Sequence, residues 1–160
     1  MTILGAAAAG LASPAVSQGG PNEPKLEYAF EETVSLGEKI SAGTTPLGER
    51  FIIPITGGTF EGPDLKGTIM PGGWDWQLKR ADGCLEVKAG YFLKTDDGVI
   101  INVVNVGLIC PGTPVRTHPK FEAPLGKYEW IGRSSFVGTL EPVMRDGKLE
   151  AVHIRFYKAI

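Results

Sequence analysis

The feature that most constrains the fold of this chain is a series of Asp-Gly dipeptides set between alternating apolar and polar residues. Asp82-Gly83 and Asp97-Gly98 interrupt the alternating stretch 74–106, and Asp146-Gly147 precedes the last such stretch. Asp-Gly between alternating segments predicts a β-hairpin, because a two-residue hairpin turn needs positive φ at both central positions. The chain is therefore predicted to be built from antiparallel strands.

The composition agrees with a protein of many short strands. Among 160 residues there are 22 Gly and 12 Pro, which is more than long helices tolerate, and 42% of the residues are hydrophobic. Strand-like stretches recur at 26–30, 50–56 and 149–157, and only 31–40 shows a modest helical period. The sequence therefore predicts an all-β fold with little helix. We expect a single antiparallel β-barrel of lipocalin or allene oxide cyclase type over residues 23–160.

The first 22 residues differ from the rest of the chain. Residues 3–12 form an Ala-rich apolar run that is too short to span a bilayer. Ala15-Val16-Ser17 follows and resembles the small-residue cleavage site of a secretory signal. Residues 1–22 are interpreted as a signal-like or flexible N-terminal segment outside the barrel. This interpretation predicts a periplasmic or secreted protein without a membrane span.

Charge and cysteine content bear on partners and cofactors. The formal net charge is −2 and no basic run appears, which argues against a nucleic-acid partner. Cys84 and Cys110 are the only cysteines. They could form a disulfide in an oxidising compartment, but two buried free thiols are the favoured interpretation. No Cys or His cluster has the spacing of metal ligands, so neither a metal nor another cofactor is expected.

The alternation around Asp82-Gly83 predicts a register for the first hairpin. A two-residue turn there puts the two tryptophans of the first strand on one face, and Asp75 and Gln77 on the other face with Lys88. A shift by one residue would set polar side chains against apolar ones, so the two-residue turn is favoured. In the second hairpin a two-residue turn and a three-residue loop stay open. The two-residue turn would add Asn105 to the polar face.

The polar face of this hairpin is the first candidate site. It comprises Asp75, Gln77, Lys88 and Asn105, which are the predicted acid–base and substrate-binding residues of this hairpin. A solvated outer face is one interpretation, because antiparallel sheets usually bury one side only. The other is a polar pocket inside the barrel, since small barrels can hold one ligand.

Further candidates lie later in the sequence. Glu122 follows a loop rich in Pro and His, where a carboxylate could act as a general base. Residues 128–140 are predicted to form one strand, in which Tyr128 and Trp130 share a face and Arg133 lies on the other. These three side chains are candidate substrate contacts, although core packing is the favoured interpretation for the two aromatic ones.

Several motifs together resemble a known family. The segments are 54–63, 71–77 and 91–98, followed by Phe121-Glu122-Ala123-Pro124 and the stretch from Tyr128 to Gly138. They are similar to the proteins called domain of unknown function 3237, and the resemblance spans roughly residues 26–157. It implies a small antiparallel β-barrel and says little about activity.

The resemblance also points to particular residues. It adds Trp76 and Tyr91 to Asp75, Gln77 and Glu122 as positions that match the family's motifs. The chain departs from the family pattern at two places. Trp74 stands where the family tends to have a small residue, and Gly90 stands where it tends to have Arg. A site built on an Asp–Arg pair is therefore altered here.

Three functions compete for such a barrel, and a small organic ligand is the expected partner of the first two. The first is an exported, cofactor-independent acid–base enzyme, an isomerase, lyase or cyclase, with Asp75 or Glu122 as base and Tyr91 as acid. The second is a binding protein of lipocalin type without turnover. The third is a structural or assembly module. Formation of a homo-oligomer stays open at this point.

Overall fold

The computed structural model describes residues 20 and 22–160, and the signal-like segment 1–22 falls almost entirely outside them. Ten strands and one short helix follow each other along the chain. They are β1 (Leu26–Leu36), β2 (Ile40–Thr45), β3 (Gly48–Glu61), β4 (Lys66–Ile69), β5 (Gly73–Lys79), β6 (Leu85–Thr95), β7 (Ile100–Ile109), β8 (Arg116–Glu122), α1 (Glu129–Arg133), β9 (Phe136–Arg145) and β10 (Lys148–Ala159).

The strands form a closed antiparallel barrel with eight strand positions around its circumference, which confirms the predicted fold class. β6 to β10 pair with their sequence neighbours, and β10 pairs with β1. β1 then pairs with β3. β4 and β5 each pair with β3 on one side and with β6 on the other, so together they occupy one strand position and close the barrel. β2 pairs with β3 beyond the part that β1 covers. Closure leaves few free sheet edges, which protects the barrel from edge-to-edge association.

One end of the barrel interior is filled by aromatic side chains. Phe30 on β1 is fully buried, and its ring centroid lies 4.9 Å from Phe156 and 5.6 Å from Phe121. Helix α1 covers this end and contributes Ile131, which is 1% exposed. We call this half of the interior the packed end.

The Asp82-Gly83 hairpin corrects the predicted register. Arg80 pairs with Cys84 across a three-residue loop, in which Gly83 has a φ of 84° and Asp82 does not have positive φ. Trp76 therefore lies opposite Lys88, and Asp75 opposite Ala89. This register was disfavoured because it mixes polar and apolar pairs. It forms because Asp75 faces the barrel interior, while Trp76 is 40% exposed outside.

The other two Asp-Gly dipeptides form hairpin loops of different lengths from each other. The Asp97-Gly98 hairpin also has a three-residue loop, so Asn105 lies opposite Ala89. Only Asp146-Gly147 makes the two-residue turn, with positive φ at both residues, 50° and 75°. The dipeptide predicted each hairpin, but the loop length followed the pairing of the strands on either side.

Two secondary-structure predictions were wrong. Residues 31–40, the candidate helix, belong mainly to β1, whose Phe30 and Val34 both face inward. Residues 128–140, predicted as one strand, contain helix α1 before β9 begins. There Glu129 and Arg133 form an ion pair one helical turn apart, at 3.0 Å, which favours the helix.

The prediction of two free thiols was also wrong. Cys84 and Cys110 form a disulfide, with their Cα atoms 4.4 Å apart. They extend the β6–β7 ladder by one residue beyond the Leu85–Ile109 pair. The cross-link therefore holds together two strands at the end of the barrel opposite the aromatic cluster.

Candidate functional site

The other half of the barrel interior holds an open cavity of about 1100 Å³. We call this half the open end. Its mouth is formed by residues 37–39 between β1 and β2, by the turn at 145–148, and by Val115 before β8. The walls are mostly apolar, with side chains including Val34, Leu36, Ile53, Ile55, Val87, Leu140, Val152 and Ile154. Such a cavity suits a small organic molecule with a largely apolar body.

Asp75 lies on the cavity wall at the centre of β5. Gln77, two residues along and therefore on the same face, donates a hydrogen bond from Nε2 to Asp75 Oδ2 at 2.8 Å. Burial raises the pKa of the Asp75 carboxyl above its usual value. The Gln77 bond, the Lys88 backbone amide and the charge of Lys39 oppose that shift in part. A carboxylate with a raised pKa accepts a proton more readily at neutral pH.

Tyr91 lies deeper in the cavity and contacts a second buried carboxyl. Its hydroxyl donates a hydrogen bond to Glu32 Oε1, and Glu32, on β1, is 1% exposed. Burial raises the pKa of Glu32 to about 8, although the Tyr91 bond opposes the shift. Burial, and then the nearby Glu32 and Asp75 carboxyls, raise the pKa of Tyr91 well above its usual value. Near pH 7 this pair therefore holds both of its protons.

Polar groups continue along the wall beyond Asp75. Asn105 on β7 and Thr117 on β8 line the cavity and are 4% and 1% exposed. Within the part of the chain that the structure describes, Asp75 Oδ1, Asn105 Oδ1 and Thr117 Oγ1 are buried without a hydrogen-bond partner. The open end thus combines an apolar wall with polar atoms that the protein itself does not satisfy.

The structure brings four of the sequence-predicted site residues together. Asp75, Gln77, Tyr91 and Asn105 all line the cavity. The face that carries Asp75, Gln77 and Asn105 is thus the inner face, and of the two interpretations the geometry matches the pocket.

Other predicted residues lie elsewhere. Lys88 and Trp76 are exposed on the outer surface. The corrected register turns Lys88 away from Asp75, whereas Trp76 follows Asp75 in β5 and faces the other side in either register. Glu122 is also exposed, since β8 turns its neighbour Phe121 inward. Lys88 was thus assigned to the wrong face by a one-residue error in pairing.

The three candidates from 128–140 belong to the packed end. The Tyr128 hydroxyl donates to Asp97 Oδ1 at 2.8 Å, and its ring is 4% exposed in the core. Trp130 and Arg133 lie on helix α1, where Trp130 packs against the core and Arg133 pairs with Glu129. The structure separates these three residues from the cavity.

Two residues of the site were missed from the sequence. Glu32 lies between Phe30 and Val34 in an alternating segment, so its inward direction was recoverable from the pattern. Thr117 lies on β8, where buried and exposed side chains alternate from Arg116 to Lys120, so its inward direction was recoverable in the same way. The prediction of a loop rich in Pro and His before Glu122 concealed it.

The described residues carry neither a metal cluster nor a spanning helix. Within 22–160 no three His, Cys, Asp or Glu side chains come together as metal ligands would. In the same part of the chain no helix is long and apolar enough to cross a membrane.

The chain is similar to several proteins without an assigned function. Residues 24–115 match the family model described as a protein of unknown function (DUF3237). The UPF0311 protein RPA1785 of Rhodopseudomonas palustris is 36% identical in an alignment of 135 residues that covers 72% of this chain and 88% of that protein. A beta-barrel like protein from Acinetobacter baumannii has a TM-score of 0.79 at 30% identity, covering 89% of this chain and all of that one.

A more distant structure extends the likeness in fold alone. It is described as an enzyme from Penicillium herquei, with a TM-score of 0.68 at 22% identity over 89% of this chain and 99% of that one. The family match covers more than half of the chain, and the relatives match along most of their length. The chain therefore belongs to the DUF3237 family of β-barrel proteins.

Proposed function

We propose that this protein is a cofactor-independent acid–base enzyme that moves a proton within a small, mostly apolar organic substrate. The observation that carries the proposal is the placement of Asp75 and Tyr91 on one cavity wall, each with a pKa raised by burial. An isomerase, lyase or cyclase of this kind needs a base that removes a proton from the substrate and an acid that donates a proton to another atom of it. The distant Penicillium herquei enzyme shares the fold and supports catalysis in such a barrel by analogy only.

In this mechanism Asp75 is the base and Tyr91 is the acid. The Asp75 carboxylate removes a proton from the substrate, and the Tyr91 hydroxyl delivers one to the atom on which negative charge develops. Glu32 then returns a proton to the Tyr91 oxygen, because its raised pKa keeps it protonated near pH 7. Release of the Asp75 proton to water or product, and uptake of one proton from water by the Glu32 carboxylate, restore the starting state. Every proton taken is thereby balanced by one given.

The first experiment identifies the ligand. Native mass spectrometry of the protein purified from its source would show whether a small molecule co-purifies and would give its mass. In parallel, proton exchange in D₂O is followed by NMR for a panel of cyclic ketones such as 2-tetralone. We expect exchange at the carbon beside the carbonyl, slowed about 10²–10⁴-fold in Asp75→Asn.

Glu122→Gln is the matched control for the exchange experiment. It removes the same charge from an exposed carboxyl on the outside of β8, and exchange should stay at the wild-type rate. If Asp75→Asn and Glu122→Gln exchange at the wild-type rate alike, Asp75 is not the base and the acid–base proposal fails.

A binding protein of lipocalin type is the second candidate. The wide apolar wall and the open mouth of the cavity favour it. In that case a ligand would co-purify, Asp75→Asn would still bind it, and the wild type would catalyse no exchange. An assembly module gains no support from a barrel with an open interior.

We also propose that the protein is exported to an oxidising compartment. The Cys84–Cys110 disulfide supports this, since such bonds persist outside the reducing cytosol. The signal-like segment agrees with it, although it lies outside the described residues. Expressed in its native host, the protein should yield a mature chain that begins near Gln18. An intact N-terminus recovered with the cytosolic fraction would contradict export.

A further inference from the structure

The cavity wall carries polar atoms that the proposed proton transfer does not use. Asn105 and Thr117 are both more than nine-tenths buried and line the cavity. Among residues 22–160, nothing hydrogen-bonds to Asn105 Oδ1 or Thr117 Oγ1. A buried polar atom without a partner is destabilising, so proteins keep few of them, and those kept call for an explanation. Two on adjacent strands facing one cavity point to a ligand.

The sheet register shows how these groups are arranged. Asp75, Ala89 and Asn105 form one row across β5, β6 and β7. Their spacing sets Asp75 and Asn105 about 10 Å apart at Cα, two strand separations. Ala89 between them has only a methyl group. The wall is therefore recessed between the base and the amide.

Thr117 lies in the next row toward the mouth, between two glycines. Gly107 on β7 and Gly138 on β9 are its direct neighbours in the sheet. A Cβ on Gly138 would lie 2.2 Å from Thr117 Oγ1, and one on Gly107 would lie 3.0 Å from its methyl carbon. Because neither neighbour has a side chain, no group of the described residues satisfies the hydroxyl at this point of the wall.

We propose that Asn105 and Thr117 form a subsite for a hydroxyl group of the ligand, an alcohol or a phenol on an otherwise apolar compound. An amide and a hydroxyl each donate and accept hydrogen bonds, and a ligand hydroxyl does the same. An ether or a ketone only accepts, so it leaves Asn105 Oδ1 unsatisfied. The inference rests on the same cavity as the proposed function and names its substrate class.

The test compares two probes of similar shape, 2-naphthol and 2-methoxynaphthalene, by isothermal titration calorimetry. The wild type should bind 2-naphthol more tightly. Thr117→Val and Asn105→Leu keep the approximate volume and should each reduce that preference about 2- to 10-fold. Thr95→Val is the matched control, because Thr95 is 2% exposed at the packed end and its hydroxyl is fully bonded. It should leave the preference unchanged.

Thermal unfolding of the unliganded variants gives a readout that does not depend on the probes. Thr117→Val removes an unsatisfied hydroxyl and should raise Tm by roughly 2–4 °C, whereas Thr95→Val should lower it by a similar amount. A fall in Tm for Thr117→Val would mean that its hydroxyl is already satisfied, and would overturn the subsite. Equal affinity of the wild type for both probes would overturn it as well.

These outcomes are separable from those of the proposed function. If Asp75→Asn abolishes proton exchange while Thr117→Val and Asn105→Leu keep the wild-type probe preference, the acid–base proposal stands and the subsite falls. If the preference depends on Thr117 and Asn105 but no exchange occurs, the subsite stands in a binding protein.

Discussion

The two ends of the barrel interior differ in whether their buried polar side chains are fully hydrogen-bonded. At the packed end Thr95 Oγ1 donates to Asp97 Oδ1 at 2.6 Å and accepts from the Val99 amide at 2.8 Å, and Tyr128 donates to the same carboxylate. At the open end, within the described chain, Asp75, Asn105 and Thr117 each keep a buried atom without a partner. The packed end gains stability from its polar groups, whereas the open end gives up stability to keep them available.

The same contrast holds for the way each end is held together. Phe30 contacts a cluster of aromatic rings at the packed end. The open end has a cavity in that place, and the Cys84–Cys110 disulfide joins β6 to β7 near its mouth. At the open end the disulfide contributes part of the stability that aromatic packing contributes at the packed end.

The largest expected effect tests the packed end. Phe30→Ala should lower the free energy of unfolding by about 3–5 kcal/mol, because the fully buried ring leaves a void that its aromatic neighbours cannot fill. Leu85→Ala, on the half-buried rim of the cavity, is the control and should cost less than half as much. Urea denaturation measures both. Equal losses would mean that the two ends are packed alike.

The second prediction tests the cross-link at the open end. Cys84→Ser with Cys110→Ser should lower the free energy of unfolding by about 3 kcal/mol, since the disulfide closes a loop of sequence separation 26. Reductant should bring the wild type down to the stability of the double variant and leave the variant unchanged. A double variant as stable as the oxidised wild type would refute this role.

The third prediction concerns Glu32, at the boundary between the two ends. Burial raises its pKa from 4.5 to about 8 in the folded protein, so between these pH values the unfolded chain has lost a proton that the folded one keeps. Its stabilising contribution is therefore complete below pH 4.5 and is lost as the pH rises to about 8.

Glu32→Gln isolates this effect, because the amide does not titrate. The unfolding free energy of the wild type should fall relative to the variant by at most about 1.4 kcal/mol per pH unit across that window. Urea titrations at pH 5, 6.5 and 8 measure the difference. Parallel pH profiles for the two proteins would show that Glu32 has no shifted pKa.

Of the four predictions on the free energy of unfolding, the smallest effect is expected for Asp75→Asn. Since burial disfavours the charged form of Asp75, removing the charge should change the free energy of unfolding at pH 7 by less than about 1 kcal/mol. Glu122→Gln, on the exposed outer face, should stay within about 0.5 kcal/mol. A large loss in Asp75→Asn alone would make that carboxylate a structural group and weaken the contrast between the two ends.

The sequence predicted the fold class because its evidence is local. Asp-Gly dipeptides, alternation and a high Gly and Pro content each report on a few neighbouring residues, and all of them favour hairpins. The same local evidence failed at residues 128–134, where the i to i+4 pair of Glu129 and Arg133 accompanies a short helix that covers the packed end.

The candidate site was predictable in part. Asp75, Gln77, Tyr91 and Asn105 were named from the sequence, and all of them line the cavity. Lys88 was placed on the face of Asp75 because one residue of loop length reverses the direction of every side chain relative to its partner strand. Glu32 was recoverable, since Phe30 and Val34 on either side of it fix its direction.

By itself the sequence determined that the chain forms antiparallel hairpins and which side chains share a face of each strand, because both follow from backbone geometry over a few residues. Only the tertiary structure decided which face is inside, that Cys84 meets Cys110, and that Glu32 on β1 reaches Tyr91 on β6. These facts depend on closure of the barrel, which brings together residues far apart in the sequence, such as Glu32 and Tyr91 at a separation of 59, and leaves a cavity at one end.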